Sequence, residues 1–174
     1  MKRVVVTGIA GLSPIGDNWD DIVKRLKAMD TGVVYMDEWD KYEGLNTRLG
    51  GVISDFAMPD HYKRKALRSM GRVAQMAVLS TERALEDAGL LDDPILKSGQ
   101  VGVSYGSSAG DTVSFKDFGN MLINCSSDGL NANSYIKMMA HTAPVNIGVH
   151  FGLQGRVITT SSACTSGSQG IGYA

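Results

Sequence analysis

The stretch Thr159-Thr160-Ser161-Ser162-Ala163-Cys164-Thr165-Ser166-Gly167-Ser168-Gln169-Gly170-Ile171-Gly172-Tyr173-Ala174 passes from β-branched residues through small polar ones into a segment of helical character, with one thiol at the corner. Upstream, Arg156-Val157-Ile158 extends the β-branched run, so the pattern predicts a strand over 156–160 that turns sharply into a helix. A thiol at a helix start faces unpaired amides and the positive end of the helix dipole. Both favour thiolate over thiol and make Cys164 a candidate nucleophile at neutral pH. The same amides would hold an oxyanion. Small neighbours on both sides of the sulfur leave room for a bulky thioester, as in a nucleophile elbow. The literal Gly-x-Ser-x-Gly of serine hydrolases is missing, because Ser162 and Ser166 stand two before and two after the cysteine.

Working outward, strand, glycine loop and helix recur. Arg3 to Thr7 reads as a buried first strand closed by Gly8, and Asp17 or Asn18 caps a helix whose apolar positions are Trp19, Ile22, Val23 and Leu26. Gly51-Val52-Ile53 reads as a short strand. From a cap at Asp60, the spacing of Val73, Met76, Ala77, Leu79, Ala84, Leu85 and Ala88 predicts an amphipathic helix stopped by Gly89. Gln100 to Tyr105 reads as a second buried strand, followed by Gly106-Ser107-Ser108-Ala109-Gly110 and a helix opened by Asp111 toward Leu122. Helical segments at 134–139 and 144–151 precede Gly152 and Gly155. This alternation predicts a layered α/β fold with a largely parallel sheet, with residues 1–174 as one domain.

Composition narrows the function classes. Seventeen Lys and Arg oppose eighteen Asp and Glu, a net charge of -1, which gives no electrostatic case for a nucleic-acid partner. No apolar run approaches the roughly 18 residues of a membrane span, and the opening residues turn glycine-rich too soon for a secretory core, so the expected setting is the cytoplasm, away from membranes. Two cysteines with no extracellular signature make no disulfide framework. Cys125, between Asn124 and Ser126 and remote from any strand-to-helix corner, is expected to fill a gap in the packing. His61, His141 and His150 show no metal-site spacing with the cysteines and read as surface or hydrogen-bonded structural residues, so no metal is expected. Thr7-Gly8-Ile9-Ala10-Gly11 misses the Gly-x-Gly-x-x-Gly spacing of a dinucleotide loop, and no Tyr has a Lys four positions on, so no redox cofactor is expected either.

Ser162-Ala163-Cys164-Thr165-Ser166-Gly167, preceded by Gly152-Leu153-Gln154-Gly155, resembles the active-site segment of β-ketoacyl-acyl carrier protein synthases, the ketosynthases of the thiolase-like condensing enzymes. Arg3-Val4-Val5-Val6-Thr7-Gly8 with Ser13-Pro14-Ile15-Gly16 resembles that family's amino terminus, and Gly106-Ser107 with Gly110 its glycine turn near the acyl pocket. The resemblance implies a layered α-β-α thiolase-like fold of two similar halves, of which residues 1–174 are the first and the carboxy-terminal half is absent from this chain. It implies that Cys164 takes an acyl group from the phosphopantetheine thioester of an acyl carrier protein and passes it to the carbanion released when a malonyl group loses carbon dioxide, as in fatty acid or polyketide synthesis. By the same resemblance the Cys164 amide is an oxyanion donor. Ala109 stands where the family's pocket-lining residue sits, where a small side chain leaves space for a longer acyl group. A homodimer is implied as well, with the strand at 156–160 continuing the sheet into its twin. The family's two histidines and lysine belong to the second half, so this chain by itself is expected to accept an acyl group but not to condense it. Two other readings stay open: a cysteine hydrolase of thioesters, and a non-catalytic pairing subunit or structural fragment. The basic cluster Lys63-Arg64-Lys65 with Arg68 and Arg72 reads either as a solvated helix face or as a docking surface for an acidic carrier protein.

Overall fold

The computed structural model describes residues 3–174. The chain forms two compact units, Ile9–Ala57 and a larger one made of the residues up to Gly8 together with Met58–Ala174.

The smaller unit begins with a Ser13–Gly16 turn and helix α1, Trp19–Lys27. The Asn18 side chain caps α1 by accepting the Asp21 amide at 3.0 Å, one of the helix-start donors that would otherwise go unpaired. Acidic residues fill the first turn and basic ones the last, which matches the helix dipole at both ends. Arg25 locks the exit of α1, pairing with Asp30 at 2.7 Å and donating to the Pro14 carbonyl at 2.9 Å. Strands β1, Val33–Tyr35, and β2, Leu49–Gly51, then pair antiparallel, with Val34 opposite Gly50. The second strand thus lies two residues earlier than the expected 51–53.

In the larger unit, α2, Arg64–Leu67, and α3, Arg72–Asp87, replace the single helix expected between Asp60 and Gly89. Periodicity does not reveal the break at Gly71. It comes from a tertiary contact, because the Gly71 backbone lies so close to the Asp111 side chain that no Cβ fits between them. Gly89, with φ +67°, ends the α3 region as the sequence suggests. Strand β3, Val103–Gly106, leads to α4, Thr112–Asn124, then α5, Ala132–Met138, α6, Thr142–Phe151, strand β4, Val157–Thr160, and finally α7, Ser166–Tyr173. β3 and β4 are parallel, with Tyr105 opposite Thr159 and Gly106 opposite Thr160, so the three helices between them form the long crossover that parallel neighbours require.

The core lies where α3 meets α6. Ala74, Ala77, Val78 and Leu79 on one helix pack against Ala143, Pro144, Ile147 and Phe151 on the other, and Val78 and Pro144 are fully enclosed. Asn146 is buried without penalty because it accepts from the Ser69 hydroxyl and donates to the Thr142 carbonyl, both at 2.8 Å. α7 covers β3 and β4.

The first strand expected at Arg3 to Thr7 is a correction. That run carries no sheet pairing, and Val4, Val5 and Val6 are 89%, 70% and 83% exposed. A β-branched run favours an extended backbone, yet it becomes a strand only beside a hydrogen-bonding neighbour, and no ladder among the described residues reaches it.

Candidate active site at the corner between β4 and α7

The backbone turns from β4 into α7 over residues 161–165. The turn rests on Ala163, which has φ +52° although it is not glycine. Such a left-handed L-residue costs about 1 kcal/mol and persists only where its surroundings hold it. They do so with hydroxyl groups. The Ser166 Oγ donates to the Ala163 carbonyl at 2.6 Å and accepts the Ser162 amide at 2.9 Å. The Thr165 Oγ1 donates to the Ser162 carbonyl at 2.8 Å, and the Ser162 hydroxyl reaches the Gln169 Oε1 at 2.7 Å, one turn into α7.

Cys164 follows Ala163 directly, two residues before the first residue of α7, and it is exposed. The corner is pinned to the sheet from beneath. Thr160, the last residue of β4, donates its hydroxyl to the Ser166 carbonyl at 2.7 Å. β3 approaches so closely that a Cβ on Gly106 would fall inside the Ser166 carbonyl and the Gly167 amide. Ser104 Oγ donates to the Gly170 carbonyl at 2.7 Å, which fixes α7 along its length.

Ala109 lies in the loop after β3, half-buried. Its carbonyl accepts from the Ser107 hydroxyl at 2.7 Å, and the Ser107 amide donates to the Thr160 carbonyl at 3.1 Å. The loop bearing Ala109 is therefore tied to the end of β4, four residues ahead of Cys164.

Cys125 is a second correction. It does not fill a gap but sits exposed at the end of α4 as its left-handed cap, with φ +50°. The α4 backbone needs a left-handed residue there, and with no glycine available the chain turns its thiol out to solvent.

The histidines take no part at the corner. His61 Nε2 lies 2.9 Å from Glu82 Oε1, and Tyr62 donates its hydroxyl to the same carboxylate. Tyr62 stacks on His150 with ring centroids 4.9 Å apart. Burial, then the neighbouring Glu82, pushes the Tyr62 phenol well above its ordinary range. Burial also pulls His150 below 6.5, opposed by Glu82 and assisted by His61. His61, Glu82 and His150 border a cavity of about 750 Å³ with Lys97, Phe151 and Gly152, and neither Cys164 nor Ala109 lines it. His141 lies at the start of α6. Sequence reasoning missed Ser166 as the lock of the corner. Its only trace in the sequence is a serine where a nucleophile elbow has glycine.

Comparison with known proteins places this arrangement. The family model described as the N-terminal domain of beta-ketoacyl synthase matches residues 1–174, so the chain belongs to that family. The crystal structure of a beta-ketoacyl synthase from Burkholderia phymatum is 47% identical, superposes with a TM-score of 0.95, and is matched over 100% of this chain and 43% of its own. A 3-oxoacyl-[acyl-carrier-protein] synthase 2 from Vibrio harveyi is 28% identical over 99% of this chain and 41% of its own length. A type II polyketide ketosynthase solved in complex with its acyl-carrier protein, 21% identical over 100% of this chain and 46% of its own, shares the fold with a TM-score of 0.80. The expected thiolase-like fold, with this chain as its first half, is borne out. The chain spans about two fifths of the length of these relatives.

Proposed function

We propose that this β-ketoacyl synthase amino-terminal domain supplies the acyl-accepting half of a carbon–carbon condensing enzyme, with Cys164 as the nucleophile. One observation carries the reading: an exposed thiol stands at the N-terminal mouth of α7, directly after a left-handed corner. In the first step the Cys164 sulfur attacks the carbonyl of an acyl thioester borne by the phosphopantetheine of an acyl carrier protein. The new carbon–sulfur bond replaces the old one, and the departing carrier sulfur takes up, through solvent, the proton that the Cys164 thiol gives up. Negative charge on the tetrahedral oxygen falls to backbone amides at the corner, the Cys164 amide among them, where the positive end of α7 favours it. In the second step a malonyl group loses carbon dioxide, its carbanion attacks the acyl carbon, and the Cys164 sulfur is the leaving group. No metal or redox group enters either step. In the family, the decarboxylating histidines and lysine come from the second half of the fold, and in this chain His61 is engaged with Glu82.

The carrier protein is acidic in this reading, and Arg64 and Lys65 on α2, with Arg68 at its C-terminal cap, line a basic groove suited to it. Ala109 borders the acyl chain, a placement supported by its tie to Thr160 through Ser107. Homodimerisation through β4 is supported by that strand being paired on one edge only among the described residues. A cytoplasmic setting belongs to the same proposal; among the described residues no helix is long and apolar enough to cross a membrane.

The test is to incubate the chain with an acyl-carrier-protein thioester and map the products by peptide mass spectrometry. Acyl mass on Cys164, absent from Cys125 and lost in Cys164→Ala, is the expected result. Free fatty acid released without a lasting acyl-enzyme would turn the assignment to a thioester hydrolase, and no acyl transfer at all would turn it to a structural subunit.

A further inference from the structure

We infer that Ser166 is a positioning residue for the nucleophile, holding Ala163 in its left-handed conformation and so aiming Cys164 across the mouth of α7. The inference rests on the reading of Cys164 given above and adds a residue to it. Three facts converge on this side chain. Ser166 is only 3% exposed although it is polar and lies beside an exposed thiol. Its hydroxyl donates to the Ala163 carbonyl and accepts the Ser162 amide, so it clamps the backbone on both sides of the one left-handed residue of the corner. Its own amide adds a second bond to the Ala163 carbonyl at 3.1 Å, and its carbonyl is held by Thr160 against the backbone of Gly106.

A hydroxyl that merely satisfied a buried donor would need one partner. This one bridges two backbone groups across Ala163, and the cost of the positive φ at Ala163 is what such a bridge offsets. Removing it leaves the Ser162 amide without its partner and the Ala163 carbonyl with the Ser166 amide alone, and frees Ala163 to relax toward ordinary backbone angles. Cys164 is the next residue, so its sulfur swings with that relaxation. The Gln169 and Thr165 side chains brace Ser162 from the α7 side, with their hydrogen bonds directed to Ser162 rather than to Ala163.

The prediction is read with limiting iodoacetamide on the full chain, each cysteine quantified by peptide mass spectrometry and Cys125 serving as the reference within the same molecule. Ser166→Ala lowers the Cys164 to Cys125 labelling ratio about tenfold, and melting is followed in parallel. Adding Ala163→Gly to that variant restores most of the ratio, because glycine takes the left-handed region freely. Ala163→Gly alone keeps the ratio within about twofold and raises the melting temperature. Should Ser166→Ala be too unstable to assay, the double variant carries the test: recovery of folding together with a fast Cys164 is expected, and a folded double variant with a slow Cys164 overturns the inference. An unchanged ratio in Ser166→Ala overturns the positioning role while leaving Cys164 as nucleophile. Equal slowing in the single and double variants also overturns it, since Ser166 would then act through packing rather than through Ala163. If Cys164 labels no faster than Cys125 in the unaltered chain, the nucleophile reading itself fails, and the positioning role falls with it.

Discussion

Two cysteines in one chain separate what a thiol can do from where it sits. Both are exposed, so access does not distinguish them. Cys164 precedes the positive end of α7, whereas Cys125 closes the C-terminal end of α4, where the helix carbonyls point. Chemistry at a developing negative charge is thus favoured at one thiol and opposed at the other. At Ala109 the methyl is the smallest side chain that still packs, and in Ala109→Phe we expect the preference among acyl thioesters to shift to short chains. Acyl-enzyme formation with a long-chain thioester should fall at least about tenfold while that with an acetyl thioester is kept. Equal rates for both lengths would remove Ala109 from the acyl path. His150 makes a prediction of another kind. Its pKa is lowered in the folded chain, so below 6.5 the unfolded chain takes up a proton that the folded ring resists. Stability therefore falls as pH drops through that value, and urea unfolding across the range should show a slope that is shallower in His150→Gln. A slope unchanged by the substitution would mean that the ring is as easily protonated folded as unfolded.

At the scale of elements, what could be read from the sequence was whatever local chemistry alone decides. The Asn18 cap, the glycine stops at Gly89 and Gly152 and the strand into Cys164 all rest on residues within a turn of the feature they set. The break at Gly71 and the unpaired run at Arg3 to Thr7 depend on partners distant in sequence, Asp111 in one case and a neighbouring strand in the other. Ala163 was illegible for a related reason. Alanine gives no sign of a positive φ, and only the hydroxyl of Ser166 three residues later explains it. The seam between β3 and α7 offers the sharpest element-scale test. Gly106→Ala drives a methyl into the backbone of Ser166 and Gly167, where no side-chain rotation relieves it. We expect a loss of about 3 kcal/mol in urea unfolding together with slower labelling of Cys164. Wild-type stability in that variant would show that the two elements are not in such close register. For comparison, Asn18→Ala should cost about 1 kcal/mol and leave Cys164 labelling unchanged, since α1 belongs to the other compact unit.

For the molecule as a whole, a net charge of -1 hides an uneven surface, because α2 and its C-terminal cap gather Arg64, Lys65 and Arg68 around one groove. If an acidic carrier protein docks there, Arg64→Glu with Lys65→Glu should weaken acylation by a carrier-borne thioester about tenfold, more strongly at low salt, and spare acylation by a small free thioester. Equal loss with both donors would place the damage in the fold rather than in docking. The fold class and the thiol at its corner are legible in the sequence, because the family resemblance is densest where the chemistry is. The hydroxyl lattice beneath that thiol was not, because it forms only once β3, β4 and α7 meet. The most direct measurement is the ratio of alkylation rates of Cys164 and Cys125 under limiting iodoacetamide in the unaltered chain. An account in which a sulfur at a helix mouth accepts acyl groups predicts that Cys164 reacts about tenfold faster or more. Equal rates, or a faster Cys125, would contradict it.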